Sequence, residues 1–113
     1  MNGFRRLITQ LLDEIHLTSI KAVAACSKAA EQAPRDATQA RAYSLRFQQI
    51  QVAAQLVLGA SRLDHSPMND TTLEFYWKVL ERSWRQAING EEIDANKLVA
   101  LKLDVLDLIR SHV

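Results

Sequence analysis

Apolar residues recur along the chain at spacings of three and four, the period of an α-helix, and the pattern is most informative between Ala37 and Leu63. At roughly 100° per residue, Tyr43, Phe47, Ile50, Ala54, Val57 and Leu58 share one face, while Leu45, Val52, Leu56 and Leu63 line up on the opposite one. A band of Arg41, Ser44, Gln48, Gln51, Gln55 and Arg62 between them is the only surface left for water. One neighbour cannot cover two opposed stripes. This helix is therefore expected to lie between two layers of structure or between two molecules.

The segment before it reads as a helix over residues 3–33, capped by Asn2, with a heptad-like seam of Phe4, Ile8, Leu11, Ile15, Thr18, Ala22, Ala25 and Ala29. Leu17, Ile20 and Ala24 form a second patch away from that seam. Pro34 stops the helix and pushes Ala33 out of α geometry, and Asp36 is positioned to cap a second helix over 36–63. So short a connection makes the two an antiparallel hairpin.

Asp64 to Asp70, with Pro67, reads as a loop whose apolar anchor is Met68, and Thr71 with Glu74 has capping-box spacing. A third helix over 72–89 carries Leu73, Tyr76, Trp77, Leu80, Trp84, Ala87 and Ile88 on its main face, with Phe75 and Val79 as a weaker second contact. Gly90 suits the left-handed residue past its end. Asp94 caps a fourth helix over 95–112, and Ile93 with Leu98 is spaced as a hydrophobic staple. Leu98, Val99, Leu101, Val105, Leu106, Leu108, Ile109 and Val113 form a wide apolar arc opposed by Asp104, Asp107 and Ser111, which needs more than one neighbour.

These elements predict an all-α, four-helix up-down bundle occupying residues 1–113 as one domain. Alternating directions put both chain ends and the Asp64 to Asp70 loop at one pole. The alanine-rich tip near Ala22 to Ala42 then projects past the shorter third and fourth helices. The composition agrees: 113 residues, 48% hydrophobic and 24% charged, with three Gly and two Pro.

A net charge of +1 gives no overall pull toward nucleic acid or an anionic membrane, although residues 1–63 carry eight Lys/Arg against four Asp/Glu and the remainder six against nine. Arg35, Arg41, Arg46 and Arg62 scatter in helical phase and cannot track a phosphate backbone together. The turn from Asn89 to Asp94 fails as a helix-turn-helix, because Asp94, Asp104 and Asp107 on the following helix would repel phosphates. The single Cys26 reads as a small buried hydrophobe and, with no run of about 18 apolar residues, points to a cytoplasmic protein. Arg5-Arg6 does not open an export signal, since the apolar run behind it is broken by Thr9 and Gln10.

Candidate chemistry is sparse. His65 and His112, with Asp64 and Asp70, could meet at one pole as a transition-metal set, but the spacing offers no His-x3-His pair. His16, followed by Lys21, resembles the histidine of phosphotransfer helical bundles, yet those domains place a glycine after the lysine and this segment has none. Trp77 and Trp84 sit a heptad apart on one face, the spacing of core aromatics. No phosphate-binding glycine loop, nucleophile elbow or zinc-protease motif is present.

The expectation is a non-enzymatic interaction module, an adaptor, chaperone, immunity or regulatory protein, without catalytic residues, cofactor or metal. Its alternative is a histidine phosphotransfer-like or metal-binding module. Leu17, Ile20, Leu45, Val52, Leu56 and Leu63 are the expected interface, a homodimer its expected product, and a protein partner on the outer apolar face or the alanine-rich tip the other possibility.

Overall fold

A computed structural model describes residues 3–112, which form four α-helices and one short 3₁₀ turn. They are α1 Gly3–Gln32, the turn Pro34–Asp36, α2 Ala37–Ser61, α3 Asp70–Ile88 and α4 Ala95–His112. The expected Asn2 cap and Val113 lie outside the described residues.

Local chemistry sets the ends, with two departures from the sequence reading. Asp36 occupies the cap position of α2 but its side chain makes no capping hydrogen bond. Its φ of −101° and ψ of 8° are not the extended geometry that a side-chain cap uses, because the 3₁₀ turn runs directly into the helix. α3 begins before the Thr71–Glu74 pair: Asn69 is extended and its side-chain oxygen accepts the Thr72 N–H at 2.8 Å. Glu74 instead pairs with Lys78 one turn on, at 2.9 Å. Asp94 accepts the Lys97 N–H at 3.2 Å, and Ile93 and Leu98 both pack on the core.

Gly90 closes α3 at φ 76°, with Gly90 N–H on the Ala87 carbonyl and Glu91 N–H on that of Gln86. A Cβ there would lie 2.7 Å from the Tyr43 hydroxyl oxygen. The position needs glycine for its backbone angle, and a Cβ would also displace the tip of the Tyr43 side chain.

The helices alternate in direction. Arg5 donates to the Met68 carbonyl and to Asp70, each at 3.0 Å, which ties the start of α3 to the start of α1. The His112 ring stands 3.0 Å from the Asp64 carbonyl, so α4 ends where α2 ends. The loop at this pole is held further by buried Met68 and by the Ser66 hydroxyl, which donates to the Ala60 carbonyl at 2.8 Å. At the other end the hairpin tip extends beyond the Tyr43–Gly90 contact, within a long axis of 49 Å.

The core is built around α2, which packs against α1, α3 and α4 alike. α1 also packs on α3, and α3 on α4, but α1 and α4 do not approach one another among the described residues. The cross-section is therefore a rhombus with α2 and α3 across its short diagonal and α1 and α4 at the far corners.

On α1 the buried line is Ile8, Leu12, Ile15 and Ser19, one position round from the seam read through Leu11 and Thr18. Both lines have heptad spacing. Ser19 tolerates complete burial because its hydroxyl donates to the Ile15 carbonyl at 2.7 Å. On α3, Leu73, Tyr76, Leu80 and Ala87 are buried as expected, while Trp77 and Trp84 are half-buried against the core, Trp84 with its ring 5.3 Å from that of Phe47. Ile88 is exposed, since α3 ends there and the chain turns away.

Candidate functional site

The inner face of α2 is sealed: Phe47, Ile50, Ala54, Val57 and Leu58 are all buried, joined by Ala53 and Ala60. Ser44, expected on the wet band, is buried as well and accepts a hydrogen bond from Gln48 at 3.0 Å. The opposite stripe is the part of α2 left facing water. Leu45 is 56% exposed, Val52 50% and Leu63 39%, and only Leu56 is partly packed on the core. The polar band is thus not the sole wet surface of this helix: α2 is central within one chain, yet its second stripe stays uncovered.

α4 extends this stripe. Val52, Gln55, Leu56, Gly59, Ala60 and Leu63 form one wall of an open groove of about 670 Å³, and Lys102, Leu106 and Ile109 of α4 form the other. Val99, Leu103 and Leu106 on the same flank of α4 are exposed, Leu103 to 57%. The result is a continuous apolar face across two parallel helices, with a hollow at Gly59, where an added Cβ would meet nothing within 4 Å. The rhombus explains it: a second apolar flank on each of two adjacent helices has no fifth element to cover it.

Leu17 and Ile20, 50% and 39% exposed, lie elsewhere. On α1 the same outer flank carries Asp13, whose carboxylate meets Arg62 of α2 at 3.5 Å, and by helical phase Gln48 and Gln55 stand between that edge and the stripe. The groove beside the stripe is not lined by either of them. The α4 residues were the ones sequence reasoning missed. Val99 and Leu106 had been placed in an arc to be buried, and Leu103 lay outside that arc.

The remaining candidates are dispersed. His16 is half-buried, and His65 is exposed with φ 53°. His112 meets a backbone carbonyl, and among the described residues no group of three His, Cys, Asp or Glu is placed to hold a metal ion. Cys26 is half-buried near the hairpin tip between Ala25, Ala29, Tyr43 and Phe47, and burial pushes its thiol above the ordinary range. Among the described residues no helix is long and apolar enough to cross a membrane. The chain matches no protein-family model, no curated protein and no solved structure.

Proposed function

We propose that this protein acts by protein–protein contact and not by catalysis, and that a second copy of the chain occupies the α2–α4 face. The observation that carries the reading is the groove between the two helices, lined by exposed Val52, Leu63 and Leu106, with Leu45, Val99 and Leu103 exposed on the same two helices beyond it. Monomeric soluble proteins seldom leave so contiguous an apolar surface wet.

The overall surface points the same way. The accessible area is 7214 Å², where a compact monomer of 12.8 kDa has roughly 6300 Å². The excess reflects an elongated shape and the open outer face. A second copy suits the face better than a charged partner, because Lys102 is the one ionic side chain lining the groove. An isologous contact, in which leucines of one copy enter the partner's hollow at Gly59, also has the commonest oligomer symmetry. The lone, partly buried Cys26 fits a reducing cytoplasm.

Cross-linking tests the location. In a Cys26→Ala background, a cysteine replacing Leu103 should couple two chains through a short bis-maleimide, and one replacing Leu17 should not. Efficient coupling at Leu17 alone would move the interface to α1 and overturn the assignment.

A further inference from the structure

On the opposite flank of α4 lies a second concavity, unrelated to the self-association face. α3 and α4 pack only loosely on one another and leave between them a cleft of about 540 Å³. Its apolar walls are Phe75 and Val79 from α3 and Ala100 and Leu101 from α4, and Phe75 is 60% exposed over the opening. A large aromatic at that exposure, beside an open cleft, is a surface awaiting an apolar occupant.

The polar groups give the cleft a direction. Ser83 is more than nine-tenths buried and lines it, and its hydroxyl makes no hydrogen bond to another described residue. No fully enclosed side-chain oxygen or nitrogen among the described residues lacks a partner, so this hydroxyl reaches the open volume. Arg82 and Lys97 stand at the same end. On α3 the other two cations facing solvent are neutralised one turn away, Lys78 by Glu74 at 2.9 Å and Arg85 by Glu81. Arg82 and Lys97 have no carboxylate within 4 Å among the described residues; Asp94, which shares that end, is turned to the Lys97 N–H as the cap of α4, so two cations stand there against one carboxylate. At the far end Asp104 faces Tyr76 and would repel an anion. From Phe75 to Arg82 the helix rises roughly 10 Å.

We propose that this cleft binds a medium-chain fatty acid, its carboxylate held by Arg82, Lys97 and the Ser83 hydroxyl and its chain laid along Val79, Ala100, Leu101 and Phe75. Head-group charge sets the orientation, since the cationic end attracts the carboxylate and the Asp104 end excludes it.

Amide chemical shifts recorded on the full chain during titration with decanoate test the proposal, with decyltrimethylammonium as the opposite-charge control. Saturable shifts centred on residues 75–86 and 94–104 below the micelle concentration are expected, with binding weakened about tenfold or more by Arg82→Ala or Lys97→Ala. Ala100→Trp should fill the cleft and abolish binding while circular dichroism stays helical. If that variant does not fold, the Arg82 and Lys97 changes, both at exposed positions, decide the matter. Equal binding of the two amphiphiles, absence of saturation, or shifts centred on Val52, Gly59 and Leu106 would overturn it.

Discussion

Phe47, Ile50, Ala54 and Val57 on one side of α2 are sealed by three helices, whereas Leu45, Val52 and Leu63 on the other are left largely in water. Both stripes are apolar and both repeat at the helical period. What separates them is the arrangement of α1 and α4, which flank the inner side from opposite corners and never close over the outer one. A two-sided helix therefore reports how many neighbours it needs, while the connections decide how many the chain supplies. Here the chain supplies three, and the fourth surface stays exposed.

The inner side should respond most strongly to substitution. Leu80→Ala, at a fully buried site of α3 facing it, should cost about 2–5 kcal/mol in chemical denaturation. A loss below about 0.5 kcal/mol would mean that this face is not a packed core and that the contrast between the two sides fails.

Two glycines sharpen the comparison with opposite signs. Gly90→Ala places a Cβ at φ 76° and 2.7 Å from the Tyr43 oxygen, so it should destabilise by about 1–2 kcal/mol from the backbone alone, with the contact adding to it. Gly59→Ala, on the outer side where nothing stands within 4 Å, should instead stabilise the protomer by about 0.5–1 kcal/mol in dilute solution. Thermal melts of both read this directly. Destabilisation at Gly59 would show that its hollow is already filled from within the chain.

The smallest effect concerns Tyr76, whose phenol is pushed above its ordinary value of 10.0, first by burial and then by the Asp104 carboxylate. The folded state prefers the neutral phenol, so the unfolded chain releases this proton first. Stability from this group is complete below pH 10 and falls as pH rises from there through the raised folded value. Tyr76→Phe should flatten that part of the stability–pH curve; an unchanged slope would remove Tyr76 as its source.

Much of this architecture was legible because the punctuation is local. Pro34, Asp94 and Gly90 act within their own turns, and each helix ends within two residues of its expected bound. The misplacements on α1 and α4 are of another kind. Leu11 and Leu12 are interchangeable by spacing, and only packing against α2 and α3 puts Leu12 inside. Val99, Leu103 and Leu106 face water because α1 and α4 stay apart, a distance that no local pattern encodes. Leu17 and Ile20 are exposed on α1, and by helical phase exposed Gln48 and Gln55 of α2 stand between them and the outer stripe. The Ser83 cleft left no sequence signal beyond the weak second contact of Phe75 and Val79.

In the proposed dimer the α2–α4 face joins two copies of the chain. Sedimentation equilibrium of the native protein beside the double variant Val52→Glu with Leu103→Glu, both sites at least half exposed, tests it most directly. The native chain should approach twice 12.8 kDa at high micromolar concentration, and the variant should remain at 12.8 kDa with an unchanged helical circular dichroism spectrum. A native chain that stays monomeric at that concentration, or a folded variant that still dimerises, would contradict it.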